Sequence, residues 1–151
     1  NKFKWLSMDY QPCFAVELEK KLSILPEKPE IVIIDHMGLL LSKHRDLNLK
    51  MEEISGALTE AAIKNNIVVI AICEITKQAM TEGMGISSVR GSFRIAYNAS
   101  KILSLTTAKN SDGDVSTMVI KTEANRERGH LDLLLKINGL NIEMPGEKEY
   151  A

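Results

Sequence analysis

Two aliphatic runs flank a segment with helical periodicity in the first half of the chain. Residues 31–34 and residues 67–72 are continuously apolar, which is typical of strands buried on both faces of a parallel sheet. This order predicts a strand, a helix that ends at Asn65 and Asn66, and a second strand, together forming a βαβ unit with parallel strands. The helix is predicted because apolar residues recur at steps of three and four, at Leu47, Met51, Ile54, Leu58 and Ala61.

Weaker patterns surround this unit. Apolar residues recur at helical spacing over residues 15–25, and Pro26 ends that pattern, so a short amphipathic helix precedes the first strand. After the second strand, residues 81–88 are polar and contain glycine, which predicts an exposed loop and a candidate binding segment. A short helix is expected within residues 89–99.

Strands and turns alternate in the rest of the chain. Turns at residues 110–114 and at Asn138-Gly139 indicate antiparallel neighbours, so this part is predicted to be a β-meander. The whole is expected to be one α/β domain over residues 1–144, followed by a charged tail at residues 145–151. Strands are predicted at residues 101–105, 115–120, 131–137 and 140–144.

Composition limits the classes of partner. Of the 151 residues, 44% are hydrophobic and 26% are charged, which is ordinary for one globular domain with its own core. The formal net charge is only -1, so binding to nucleic acid or to an anionic membrane requires a local basic cluster. Cys13 and Cys73 lack the spacing of a zinc site or a disulfide framework, which favours the reducing cytoplasm. No apolar run has the length of a membrane span.

Asp35 follows the first aliphatic run directly. Open α/β sheets bind their ligands at the carboxyl ends of the strands, and Asp35 is predicted to lie there. In nucleoside triphosphatases a carboxylate at this place, the Walker B residue, helps to hold the Mg²⁺ that bridges the nucleotide phosphates. A turn residue or a helix cap is the alternative interpretation. Because parallel strands end at the same edge, the residues after Ile72 should lie beside Asp35.

Four segments occur in a characteristic order along the chain. An aliphatic strand ends in Asp35 and His36, and a second strand at residues 69–78 ends in polar residues. An Arg-Gly-Ser segment at residues 90–92 then leads into a helix and an apolar strand, and residues 120–139 contain a strand, a basic turn and a strand ending in Asn-Gly. Over residues 15–144 this order resembles the RecA-like motor domain of DnaB-type replicative helicases and their phage relatives. The resemblance implies a P-loop NTPase core, a parallel sheet with flanking helices, continued by the antiparallel meander.

The resemblance implies roles at the nucleotide, with ATP and Mg²⁺ as cofactors. Asp35 would orient the Mg²⁺, directly or through water. Glu74 stands where the family usually has Gln, a sensor of the γ-phosphate. Because a carboxylate donates no hydrogen bond to phosphate unless it is protonated, the role left to Glu74 is to position the attacking water. A solvated acid at the end of a strand is the alternative.

A basic turn supplies the other implied nucleotide contacts. Arg126 matches the arginine finger that a neighbouring subunit inserts against the γ-phosphate, where its planar fork suits phosphate better than Lys. The family's Lys two positions earlier is replaced by Ala124, and Lys121 and Arg128 are the candidate substitutes. A solvated hairpin turn with charged residues is the alternative interpretation.

The resemblance also implies a surface for single-stranded DNA. Lys77, Arg90 and Arg94 flank the loop at residues 81–88, which in the family faces the central channel of a ring. Such basic groups hold phosphates without reading the base sequence. Tyr97 stands where the family commonly has Gln. The implied partners are therefore single-stranded DNA and further copies of the same chain in a ring, and an ordinary charged surface is the alternative.

The phosphate-cradling motif Gly-x-x-x-x-Gly-Lys-Ser/Thr does not occur in the 151 residues. Because the match enters the family pattern partway through, the upstream strand, loop and helix are expected to lie outside this sequence. The chain alone should then be inactive as an ATPase and should expose one sheet edge and one sheet face.

The expected function is therefore the C-terminal part of a ring-forming, ATP-dependent DNA helicase that translocates on single-stranded DNA in replication. One alternative is a non-hydrolysing RecA-like module that binds DNA or protein, which the replacements at Glu74, Tyr97 and Ala124 favour. Another is a recombinase or clock-type ATPase of the same superfamily.

Overall fold

The computed structural model describes residues 7–74, 92–109, 111–113, 115–126, 129, 132–138 and 141–143. The chain divides into two compact units, Asn1–Ile75 and Thr76–Ala151. The first contains a 3₁₀ turn Ala15–Glu17, α1 Leu18–Ser23, β1 Ile31–Ile34, a 3₁₀ turn Met37–Leu39, α2 Leu47–Asn65 and β2 Val68–Ala71. The second contains α3 Ser92–Asn98, β3 Lys101–Lys109, β4 Val115–Asn125, β5 Leu133–Asn138 and β6 Asn141–Glu143.

The predicted βαβ unit is present in the first unit of the chain. β1 and β2 are parallel neighbours, and their register pairs Ile31 with Val68 and Ile34 with Ala71. The helix between them, α2, ends where the sequence predicts, because Asn66 takes a left-handed φ of 53°. Asn tolerates this conformation better than most residues, so it stops the helix and turns the chain into β2.

The core of this unit lies between the helices and the sheet. α2 contacts α1, the first 3₁₀ turn and β2. Its buried apolar residues repeat every three or four positions, as the periodicity predicts, except that Leu47 in the first turn is exposed. α1 contributes Leu18 and Leu22 to the same core. The buried apolar residues of α2 are Met51, Ile54, Ala57, Leu58 and Ala61.

One face of the two-stranded sheet is exposed, so the expectation that β1 is buried on both faces is wrong. The exposed fractions of Ile31 and Ile33 are 54% and 61%, and the residues that alternate with them are half-buried. Their partners in β2, Val68 and Ile70, are exposed as well. Within the described residues β1 is therefore packed from one side only, and its burial alternates as in a half-covered sheet.

The second unit contains the predicted meander. Its four strands lie in the order β3-β4-β5-β6, and all neighbours are antiparallel. β3 and β4 are longer than the sequence predicts, since they reach Lys109 and Asn125. In the turn between them, Gly113 takes a positive φ of 88°, which glycine adopts without steric cost.

Two predicted segments, the loop at residues 81–88 and the tail at residues 145–151, lie outside the described residues. The same holds for parts of the turns at residues 110–114 and at Asn138-Gly139. Among the residues that are described, no helix combines the length and the apolar character needed to cross a membrane.

Ile54 and Ile63 provide a matched test of the α2 core, because both lie in this helix and their exposed fractions are 0% and 74%. Ile54→Ala should lower the free energy of unfolding by about 3–4 kcal/mol, since it leaves a cavity. Ile63→Ala should change it by about 0.5 kcal/mol or less. Urea denaturation measures both values, and similar losses for the two variants would contradict this core.

Candidate functional site

The carboxyl ends of β1 and β2 are joined by backbone hydrogen bonds. The Ile72 N–H donates to the Ile34 carbonyl at 3.0 Å, and the Met37 N–H donates to the Ile72 carbonyl at 2.9 Å. The segments that follow the two strands therefore run side by side. This arrangement confirms the prediction that Asp35 and the residues after Ile72 share one edge of the sheet.

Asp35 is exposed at this edge, directly after β1. Of the two alternative interpretations, the helix cap does not hold, because the N-cap of the following 3₁₀ turn is His36 and no side chain caps that turn. The other one holds, because Asp35 lies in a turn. The Asp35–His36 peptide bond is cis. Because Asp35 is exposed, its carboxylate is accessible to a cation or to water.

His36 and Glu74 bring the two strand ends into side-chain contact. The Nε2 atom of His36 lies 3.7 Å from the Oε1 atom of Glu74, which is an ion pair only when the imidazole is protonated. The Nδ1 atom of His36 is buried and has no hydrogen-bond partner within the described part of the chain. This atom lies on the side of the ring that faces Gly38, whereas Nε2 faces Glu74.

His36 is a site residue that the sequence does not single out, and its only signal is its place directly after Asp35. Its imidazole packs against the backbone of the 3₁₀ turn. A Cβ at Gly38 would lie 2.9 Å from the Cε1 atom of His36 and 3.0 Å from its Nδ1 atom, closer than van der Waals contact permits. Lys50 of α2 donates from Nζ to the Gly38 carbonyl at 2.9 Å and ties this turn to the helix.

The metal-binding capacity of this edge depends on oxygen ligands. Among the described residues, no group of three or more His, Cys, Asp and Glu side chains could hold a metal ion. Mg²⁺ does not need such a group, because it commonly takes one or two carboxylates and completes its shell with water and phosphate oxygens. Burial raises the pKa of the neighbouring Cys73 thiol, so this group stays protonated at neutral pH and is a poor ligand. The exposed carboxylate of Asp35 is an oxygen ligand of the kind that Mg²⁺ takes.

Arg126 lies in the second unit, directly after β4. Its backbone N–H donates to the Ser100 carbonyl at 3.0 Å, which extends the ladder between β3 and β4 by one step. In the following turn Asn125 donates from Nδ2 to the Gly129 carbonyl at 2.6 Å, and Gly129 takes a φ of 111°. The backbone of Arg126 is thus held at the end of β4.

The side chain of Arg126 lies over an aromatic ring. Its Cζ atom is 5.7 Å from the centroid of the Tyr97 ring, within the range of a cation–π contact. Both side chains are exposed, and Tyr97 belongs to α3. The sequence places Tyr97 at a position where the resembled family has Gln, and it gives no sign of this contact.

The remaining predicted residues are distributed as follows. Lys121 is an exposed residue inside β4, opposite Ser104, because this strand continues past the predicted end at residue 120. Arg94 is exposed on α3. Three further candidates lie outside the described residues, namely Lys77, Arg90 and Arg128.

Comparisons with known proteins define the fold. The chain is similar to a DnaB-like replicative helicase, in a structure that also concerns the interactions of that helicase with primase. The TM-score is 0.72 and the sequence identity is 20%. The match covers 87% of this chain and 35% of the helicase chain. It is also similar to a second solved structure, an ATPase domain, with a TM-score of 0.77 and 20% identity; here 91% of this chain and 54% of the other are covered. No protein-family model and no curated protein matches the sequence.

The backbone of this chain therefore has the fold of part of these two structures. The resemblance inferred from the order of the four sequence segments is confirmed at the level of fold. The chain spans about one third and about one half of the two proteins that it matches. At this level of identity the likeness describes the path of the backbone, and the roles of single residues rest on the chemistry of this chain.

Gly38 and Gly56 test the packing around His36 with the same substitution. Gly38→Ala should lower the free energy of unfolding by about 1–3 kcal/mol, because its Cβ would overlap the imidazole. Gly56→Ala should raise it by about 0.5–1 kcal/mol, because no atom beyond the local helix backbone lies within 4 Å of the new Cβ and Ala favours the helix.

Thermal or urea denaturation measures both effects. Adding His36→Ala to Gly38→Ala should recover much of the lost stability, since the overlap is with the imidazole. Equal effects of the two glycine substitutions, or no recovery in the double variant, would contradict the packing described for His36.

Proposed function

We propose that this chain is the C-terminal part of a ring-forming, ATP-dependent DNA helicase that moves along single-stranded DNA in the cytoplasm. The observation that carries the proposal is the meeting of Asp35, His36 and Glu74 at one edge of a parallel sheet, in a fold shared with helicase ATPase domains. Open α/β sheets bind ligands at this edge. The exposed apolar face of β1 and β2 is also consistent with a larger motor, since sheets of this type are covered on both faces.

In this proposal the first unit holds the metal side of the nucleotide. A Mg²⁺ ion held there would supply positive charge against the charge that develops on the phosphates of ATP. Asp35 would hold it, directly or through water, because its carboxylate is exposed at the strand end. Glu74 would accept a hydrogen bond from the attacking water. His36 would fix the Glu74 carboxylate through the 3.7 Å contact of its Nε2 atom.

The second unit would supply cations. Arg126 would reach the γ-phosphate of ATP bound to the next subunit of the ring, where an arginine stabilises the charge of the transition state. Lys121 and Arg128 would add phosphate contacts in place of the Lys that Ala124 replaces. Arg94 on α3, with Lys77 and Arg90, would hold phosphates of the DNA strand, so this binding would weaken with salt.

Arg126→Ala should lower DNA-stimulated ATP turnover about 1,000-fold or more in the longest natural protein that contains this chain, which is the scale of an arginine finger. Nucleotide binding should be largely unchanged, because the finger acts on the transition state. The matched control is Arg45→Ala, which removes an exposed arginine of the first unit and should leave turnover unchanged. Steady-state turnover and equilibrium binding of a fluorescent nucleotide measure these effects.

Action between subunits can be tested by mixing. Subunits with Arg126→Ala and subunits with Asp35→Asn should each be inactive alone. Mixed rings should regain turnover, because some interfaces then pair an intact Asp35 with an intact Arg126 from the neighbour. Full turnover by Arg126→Ala alone would reject the finger, and mixed rings without recovery would reject action between subunits. No turnover in the unsubstituted protein would favour the non-hydrolysing RecA-like module.

A further inference from the structure

The backbone on both sides of the Tyr97–Arg126 contact is anchored. On the helix side, Ile95 of α3 is buried, and its carbonyl accepts a hydrogen bond from the Ala99 N–H at 2.9 Å. On the strand side, the Arg126 N–H donates to the carbonyl of Ser100, two residues after the end of that helix. The hydrogen bond to Ser100 therefore fixes the position of the Arg126 backbone relative to the segment after α3. The side-chain torsions of Arg126 then determine where its guanidinium lies.

The ring of Tyr97 restricts those torsions without consuming the donors of the guanidinium. An exposed arginine has many rotamers, and ordering them costs conformational entropy when the side chain binds phosphate. A guanidinium that packs its flat face on a ring keeps its N–H groups in the plane, where they point away from the ring and can bond phosphate oxygens. At 5.7 Å the contact is near the outer limit of a cation–π interaction. It is therefore strong enough to orient the Arg126 side chain and weak enough to let that side chain move to a phosphate.

We infer that Tyr97 is a positioning residue for Arg126: its ring holds the guanidinium in the orientation that contacts the γ-phosphate of the neighbouring subunit. The inference rests on the function proposed above, because that function assigns to Arg126 a γ-phosphate to contact. In this role Tyr97 acts through Arg126 and not on the nucleotide itself. Its effect is to reduce the ordering that Arg126 must undergo in the transition state.

Two substitutions of Tyr97 separate an aromatic effect from a structural one. Tyr97→Phe keeps the ring face and should retain the turnover of the unsubstituted protein. Tyr97→Leu removes the aromatic face but keeps an apolar side chain with good helix propensity. It should lower kcat for DNA-stimulated ATP hydrolysis about two- to fivefold and leave KM for ATP unchanged. At 1.36 kcal/mol per tenfold, this loss equals about 0.4–1 kcal/mol, the scale of an exposed cation–π contact.

A spectroscopic measurement on the same protein reports the contact itself. With selective ¹³C labelling of arginine, the Arg126 side-chain signal is assigned by its loss in Arg126→Lys. The Tyr97 ring current should shift this signal in the unsubstituted protein and in Tyr97→Phe. In Tyr97→Leu the signal should move to the position of a solvated arginine.

The outcomes distinguish this inference from the function on which it rests. A fall in kcat confined to Tyr97→Leu, together with the loss of the ring-current shift, supports the positioning role. Unchanged turnover in Tyr97→Leu, equal losses in the Leu and Phe variants, or an Arg126 signal that is the same in all variants overturns it. Turnover that depends on Arg126 but not on Tyr97 rejects only the present inference, whereas turnover that does not depend on Arg126 rejects the proposed finger.

Discussion

The parallel pairing of β1 with β2 is the constraint on which the candidate site depends. The register that sets Ile34 beside Ala71 also sets the segment after β1 beside the segment after β2. Parallel strands need a crossover long enough to return the chain to the same end of the sheet, and α2 supplies it. The buried apolar stripe of this helix therefore stabilises the site at a distance, since it fixes the two strand ends that carry Asp35 and Glu74.

A second constraint of the same kind places Arg126. The antiparallel ladder between β3 and β4 determines where β4 ends, and the bond to the Ser100 carbonyl holds the next residue against the end of α3. Backbone hydrogen bonds thus locate the arginine, and the ring of Tyr97 orients its side chain. In both units the chemistry-bearing residues stand at strand ends, where backbone pairing fixes position and side chains remain accessible to a ligand.

The sequence predicts the helices and strands better than it predicts their burial and their side-chain contacts. β1, α2 and β2 follow from periodicity, and the common edge of Asp35 and Glu74 follows from the parallel topology. The exposure of Ile31 is not predictable in this way, because an aliphatic run indicates a strand and cannot tell whether anything covers its second face. The contact of His36 with Glu74 and the packing around Gly38 depend on turn geometry and side-chain torsions. The extra length of β3 escapes prediction because its last residues are exposed and carry no apolar alternation.

The central claim, that this edge of the sheet faces the metal of a bound nucleotide, is tested most directly by replacing Mg²⁺ with paramagnetic Mn²⁺. The longest natural protein that contains this chain would be labelled at histidine and given a non-hydrolysable ATP analogue with Mn²⁺. The His36 signal, assigned by its loss in His36→Gln, should broaden strongly, because His36 follows Asp35 directly in the chain. A sharp, unshifted His36 signal in the presence of bound Mn²⁺ and nucleotide would contradict the account.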